Sequence, residues 1–107
     1  MISKKKIEEL INKHSLLEKD LSAENIEKKE FAEKSKEYSS ISEIIESVKK
    51  YLSFDDNKKD LEKILEDKNS DDELKKLAEI ELKDLKKEHE QDEKKIKLFL
   101  LIKINRN

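Results

Sequence analysis

The sequence predicts an all-α protein: an antiparallel three-helix bundle of one short and two long helices with coiled-coil-like seams. Three observations support this prediction. Glycine and proline, the residues that usually punctuate β-hairpins, are both absent from the 107 residues. Charged residues make up 49% of the chain, well above the share in an average globular domain. Apolar residues recur at steps of three and four, the spacing of a helix face.

The first helix is predicted from Lys4 to Ser22. Its apolar residues form a seam like that of a coiled coil, namely Ile7, Leu10, Leu17 and Leu21, with Ile11 and Leu16 beside it. His14 occupies one seam position, where we expect a tolerated or paired histidine of the bundle rather than a catalytic or metal-binding residue. The residues from Ser22 to Asn25 favour helix ends and helix starts, so a turn is expected there.

The second helix is predicted as one long helix from Lys28 to Glu66. Its seam continues at helical spacing through Phe31, Tyr38, Ile41, Ile45, Val48 and Leu52, and then through Leu61, Ile64 and Leu65. Ser53 is followed three residues later by an acid, which resembles a capping box, so a kink is expected near Asp55. Most aromatic residues lie on or beside the apolar face and are therefore predicted to be core residues rather than base-stacking platforms.

The third helix is predicted from Asp71 to Leu100, after a turn over residues 67–73. Ser70 and Glu73 have the spacing of a capping box at its start. The seam becomes polar between Lys86 and Lys95, so we expect this stretch to lack a packing partner or to have a hydrated one. It should then be the least protected helical stretch in hydrogen exchange.

The composition excludes several classes of function. Without glycine the chain has no phosphate-binding loop and no nucleophile elbow, and without cysteine it has no disulfide and no thiolate nucleophile. The 25 basic and 27 acidic residues leave a net charge of −2, which argues against specific DNA binding. No apolar run approaches the ~20 residues of a membrane span. We therefore expect no membrane partner and a cytoplasmic location.

Candidate chemical sites are few. The carboxylates alternate with lysines at helix-neighbour spacing, which is typical of solvated helix faces. His89 is the strongest candidate, because Asp92 and Glu93 follow it at three and four residues and could form a metal corner. No second histidine lies nearby, and Lys86 occupies the first position of a Glu-x-x-His pattern. The sequence therefore predicts a protein that is not an enzyme, with no catalytic residue, no metal site and no cofactor.

Several segments together resemble one family. The segment Phe31 to Ser39 is similar to the Lys-Glu-Tyr-containing segment near the start of bacterial class 1 peptide chain release factors. Residues 42–46 follow as they do in that family, and residues 16–22, 71–82 and 97–101 are similar to the end of its first helix and to the start and end of its last helix. The resemblance covers residues 1–101 and is greater to the factor that reads UAA and UAG.

The resemblance implies the N-terminal helical domain of a release factor. Such a domain helps to position the factor on the ribosome, toward the stalk base, and neither reads the codon nor hydrolyses the ester. A Gly-Gly-Gln loop does that chemistry in the family, and this chain contains no glycine. Residues 102–107 depart from the family pattern, which usually has a proline there, so they are predicted to be a divergent tail. A truncated or frameshifted gene would explain this tail, and a natural short product is the other interpretation.

A second hypothesis stays open at this point. The heptad spacing is also typical of an unrelated coiled-coil interaction module that buries its seams by self-association. About 20 seam side chains give a thin core for a single chain, because conformational entropy opposes the ordering of every residue.

Overall fold

The computed structural model describes residues 1–105, which form four helices and no strand. They are α1 (Lys4–Leu21), α2 (Lys28–Ser42), α3 (Ile45–Glu66) and α4 (Asp72–Asn105). The longest helix, α4, packs along α3, while α1 packs against α2 and α3. Since short turns join α1 to α2 and α3 to α4, each of these pairs is an antiparallel hairpin. The predicted all-α class is confirmed.

The predicted long second helix is wrong, because the chain breaks between α2 and α3. At Ile44 the backbone has φ −115° and ψ 0°, which interrupts the helix, and the Ile44 N–H donates to the Ile41 carbonyl at 3.0 Å. At Asp55, where the sequence predicted a kink, α3 continues without a break, and the kink stays a prediction. The break allows α2 to lie along α1 while α3 turns toward α4. Serines at positions 39, 40 and 42 weaken the helix before it, because serine side chains compete for backbone hydrogen bonds.

Side chains cap the first and last helices. The Ser3 hydroxyl accepts a hydrogen bond from the Lys6 N–H at 3.2 Å, one turn into α1. At the start of α4 the Asp71 carboxylate accepts from the Leu74 N–H at 2.7 Å. The capping role predicted for Ser70 therefore belongs to Asp71, whose charge also suits the positive end of the helix dipole. The predicted turns between helices are confirmed, because residues 22–27 and 67–71 are not helical.

The hydrophobic core lies at one end of the molecule. Its larger cluster joins the chain start, α1, the beginning of α3 and the last third of α4, and consists of Ile2, Ile7, Leu10, Ile44, Val48 and Ile96. A smaller cluster adds Leu17, Ile41 and Ile45, and the partly buried Ile11 and Phe99 pack against both. The Tyr51 hydroxyl accepts a hydrogen bond from the Ile2 N–H at 3.1 Å and fixes the chain start over this core.

The remainder of α3 and α4 projects from the core as a two-helix arm, formed by residues 55–66 and 72–85. The molecule measures 60 × 31 × 20 Å, and the arm forms one part of the long dimension. Among the described residues of the arm, Ala78 is the one hydrophobic residue that is fully buried. Twelve residues of α3 extend it by about 18 Å, at 1.5 Å per residue.

The predicted tail from residue 102 does not leave the helix. α4 continues as far as Asn105, while Arg106 and Asn107 lie outside the described residues. Phe99 and Leu100 pack against the core, whereas Leu98, Leu101 and Ile102 are exposed. The domain boundary at residue 101 therefore stays a prediction.

We expect Ile96→Ala to destabilise the protein strongly. Ile96 is fully buried in the larger cluster, and truncating such a side chain to alanine costs about 2–5 kcal/mol of unfolding free energy. The matched control, Leu98→Ala, removes an exposed side chain from the same helix and should change the unfolding free energy by less than about 1 kcal/mol. Urea denaturation measures both, and equal effects would contradict the assigned core.

Hydrogen exchange should distinguish two parts of α4. Residues 72–85 belong to the arm, where little apolar surface is buried, whereas residues 92–100 pack on the core. Amide protons of the arm should therefore exchange faster, because few buried contacts oppose local opening. The least protected stretch is therefore expected at residues 72–85. The sequence had predicted it in the polar segment Lys86–Lys95. Uniform protection along α4 in an exchange experiment monitored by NMR would contradict this assignment.

Candidate interaction surface

His14 is a paired residue of the bundle, as predicted. Its Nε2 lies 2.9 Å from the Ser42 hydroxyl oxygen, and its ring stacks on Tyr38 with centroids 4.6 Å apart. Ser42 is the last residue of α2, so this contact ties α1 to the point where α2 ends. With its ring covered on one side and its nitrogen engaged, His14 serves the packing of the helices.

His89 lies against two aromatic rings of α3. Its ring stacks on Phe54 at 3.7 Å and on Tyr51 at 4.6 Å between centroids. Its Nδ1 is buried and has no hydrogen-bond partner. The prediction that the polar stretch of the last helix lacks a packing partner is therefore wrong at His89, because its aromatic ring packs as a hydrophobic residue would.

The metal corner that His89, Asp92 and Glu93 could have formed does not assemble. In the part of the chain that the structure describes, no three histidine, cysteine or acidic side chains are arranged to hold a metal ion. Asp92 is buried, with 6% of its surface exposed, while Glu93 points to the chain start. The two carboxylates therefore have different neighbours. That the chain has no catalytic, metal-binding or cofactor-binding residue stays a prediction.

Glu93 joins the last helix to the beginning of the chain. Its carboxylate lies 3.0 Å from the Lys97 ammonium and 3.0 Å from the α-amino group of Met1. These two hydrogen-bonded cations, Lys97 foremost, lower the pKa of Glu93 from 4.5 to about 2. The pairs are solvated, so they orient the chain start over the core more than they add to its stability.

Glu37 connects three helices. This α2 carboxylate accepts from the Lys13 ammonium of α1 and lies 3.2 Å from the Lys103 ammonium at the end of α4. The hydrogen bond from Lys13, followed by that from Lys103, lowers the pKa of Glu37 below its ordinary value. Sequence analysis did not single out Glu37, because its partners are 24 and 66 residues away and no local spacing marks them.

The arm presents apolar side chains to solvent. Leu74, Leu77 and Ile80 on α4 are each between 43% and 59% exposed, although α3 lies alongside them. Lys76 and Lys83 are exposed on the same stretch of α4, and Lys75 is half-buried. Exposed apolar side chains on a projecting pair of helices are typical of a surface that binds another macromolecule. It offers no converging set of groups for acid–base or nucleophilic chemistry.

A family model matches almost the whole chain. The model is that of the PCRF domain, and the match spans residues 10–107. The chain belongs to the PCRF domain family. This PCRF domain is also 62% identical, over 103 residues, to the peptide chain release factor 1 of Pelagibacter ubique strain HTCC1062. The resemblance to release factors that the sequence indicated is confirmed.

The chain corresponds to only part of the length of this relative. The aligned part covers 96% of this PCRF domain but 29% of the Pelagibacter protein. The family match includes residues 102–107, where the sequence departs from the pattern expected for release factors. No solved structure matches the chain. None of the described helices has an apolar stretch long enough to cross a membrane.

The Glu93 pairs should give the protein a pH dependence at acidic pH. Because the pKa of Glu93 in the folded state, about 2, lies below its ordinary value of 4.5, its charged form stabilises the fold. This contribution is present above about pH 4.5 and is lost as the pH falls toward 2. Wild type should therefore exceed Glu93→Gln in stability at pH 6, and most of this difference should be lost by pH 2.

Chemical denaturation at several pH values measures this difference. Glu90→Gln is the matched control, since Glu90 is exposed on the same helix and forms no ion pair among the described residues. At 0.5 M NaCl the Glu93 effect should decrease, because salt screens exposed ion pairs. A stability difference that does not vary with pH would show that Glu93 acts through packing rather than charge.

Proposed function

We propose that this chain serves translation termination as the ribosome-positioning helical domain of a peptide chain release factor. The observation that carries the proposal is the 62% identity to a release factor 1 over 96% of the chain. The PCRF family match over residues 10–107 supports it, because it covers the same helices. The ribosome is then the partner, the stalk base is the proposed contact region, and the cytoplasm is the proposed location.

The arm is the proposed contact surface. Its two helices extend away from the core, so a partner could reach Leu77 and Ile80 without disturbing the buried clusters. A partner that covers these side chains removes apolar surface from water, which favours binding and offsets the conformational entropy lost when the side chains are ordered. The caps and the core hold the arm in one direction, which is what a positioning domain requires.

We also propose that this chain is not itself an enzyme. Peptide release would need a Gly-Gly-Gln loop, by the resemblance to release factors, and the 107 residues contain no glycine. Codon reading and ester hydrolysis would then belong to parts of a release factor that this chain does not include. The family match does not favour the alternative of an unrelated, self-associating coiled-coil module.

The proposal is tested by binding of the labelled chain to purified ribosomes, followed by fluorescence anisotropy. Leu77→Ser/Ile80→Ser removes two exposed apolar side chains of the arm. It should weaken binding about tenfold or more, the equivalent of about 1.4 kcal/mol or more. On ribosomes stalled at a stop codon, the chain should release no peptide.

Leu16→Ser/Phe31→Ser is the matched control. It removes two side chains of comparable exposure from α1 and α2, outside the arm, and should leave ribosome binding unchanged. Circular dichroism checks that both double variants keep their helices, and sedimentation checks that the labelled chain is monomeric. Equal loss of binding in both variants would contradict the arm as contact surface. No binding of the wild type at any concentration would contradict the proposed function.

A further inference from the structure

The outer surface of α4 carries its charged side chains on two separate edges. Successive residues of an α-helix are rotated by about 100°, and the buried residues Ala78, Asp92 and Ile96 mark the side of α4 that faces the rest of the protein. Relative to that side, one outer edge between residues 76 and 97 consists of exposed charged residues alone. This lysine edge is formed by Lys76, Glu79, Lys83, Lys86, Lys87, Glu90, Lys94 and Lys97.

The lysine edge is strongly positive, because it has six ammonium groups and two carboxylates. The other outer edge of the same stretch is acidic, with Glu81, Asp84 and Glu88 against Lys95. The whole chain has a net charge of −2, so the positive edge is a local feature that the overall charge conceals. A row of lysines along one side of a helix is the electrostatic footprint of a protein that contacts nucleic acid.

The lysines of this edge are not neutralised by carboxylates of the described chain. The Lys97 ammonium pairs with Glu93 at 3.0 Å, whereas the other five lysines form no ion pair within residues 1–105. Glu90 is a helix neighbour of both Lys86 and Lys94, yet it pairs with neither. Five ammonium groups along about 30 Å of helix are therefore available to an anionic partner.

The arrangement of these lysines fits a phosphate backbone. Lys76, Lys83, Lys87 and Lys94 lie within about 40° of one line along the helix, and this line is about 27 Å long. A line of separated charges matches a partner whose negative charges repeat along its length. Residues 76–97 contain no arginine, phenylalanine, tyrosine or tryptophan, the residues that bind bases in pairs of hydrogen bonds or stack on them. Contacts to phosphate alone position a protein on nucleic acid without reading its sequence.

We propose that the lysine edge of α4 contacts the phosphate backbone of RNA. The proposal rests on the proposed function, because the ribosome would bring RNA to this domain. The lysine edge is distinct from the apolar contact surface of the arm, since Leu77 lies on the other edge of α4. Two contacts of different chemistry, one apolar and one to phosphates, fix the rotation of α4 about its own axis, which neither contact fixes alone.

The test is a titration of the labelled 107-residue chain with an RNA duplex of about 16 base pairs, followed by fluorescence anisotropy and by amide chemical shifts. At about 50 mM KCl we expect the shifts to lie mainly within residues 76–97. Lys76→Gln/Lys83→Gln/Lys87→Gln/Lys94→Gln should weaken duplex binding about tenfold or more. It should also reduce the slope of log K against log salt by about three, because each phosphate contact contributes about 0.7–0.9 to that slope.

A matched quadruple variant separates the lysine edge from general attraction between lysines and RNA. Lys5→Gln/Lys19→Gln/Lys29→Gln/Lys49→Gln removes the same number of exposed lysines from α1, α2 and α3, and none of the four forms an ion pair among the described residues. Duplex binding should change by less than about twofold in this control. Equal loss in the two quadruple variants would overturn the proposal. Circular dichroism checks that both keep their helices.

Binding to purified ribosomes distinguishes this proposal from the proposed function. The lysine-edge variant should bind ribosomes more weakly and with a smaller salt dependence, whereas Leu77→Ser/Ile80→Ser should weaken ribosome binding and leave duplex binding unchanged. If the wild type binds ribosomes and the lysine-edge variant binds them equally well, the RNA contact is overturned and the proposed function stands. If the wild type binds the duplex through the lysine edge but does not bind ribosomes, the RNA contact is supported and the proposed function is contradicted.

An acidic protein segment is the competing partner for a row of lysines. A glutamate decapeptide therefore serves as the second ligand in the same titration. Binding of the decapeptide at residues 76–97 as tight as that of the RNA duplex would overturn the assignment to RNA. Absence of duplex binding by the wild type at about 50 mM KCl would overturn it as well.

Discussion

The contact of α4 with the buried surfaces of α1 and α3 determines the shape of the molecule. Ile96 meets Ile7 and Val48 in a cluster from which water is excluded. These three side chains lie on α1, α3 and α4, in positions as far apart as residues 7 and 96, so their burial fixes α4 relative to the other two helices. Hydrophobic burial of this kind is the main favourable term in a small domain without disulfides.

The position of this core at one end explains the rest of the architecture. Because the buried clusters occupy the last third of α4 and the beginning of α3, the opposite ends of these helices have only each other as partners. They become an arm whose stability depends on one seam and on the cap at Asp71. The same geometry leaves Leu77 and Ile80 exposed, which is unfavourable for an isolated protein but useful for a domain that docks onto a large particle.

Polar interactions then complete the packing at selected points. Glu37 links α1, α2 and the end of α4, and Glu93 links α4 to the chain start. His14 uses one ring nitrogen and one ring face to join α1 to the end of α2, while His89 serves as an aromatic residue between the core and the arm.

The amino-acid sequence by itself determined the all-helical class, the turns near residues 22–27 and 67–71, the seam position of His14 and the similarity to release factors, because helical periodicity, capping residues and segment order are local properties. The tertiary structure alone decided where the long second helix breaks, which of His89, Asp92 and Glu93 are buried, and that Glu37 joins three helices. Those features arise from contacts between residues far apart in the chain, and no spacing within one helix encodes them.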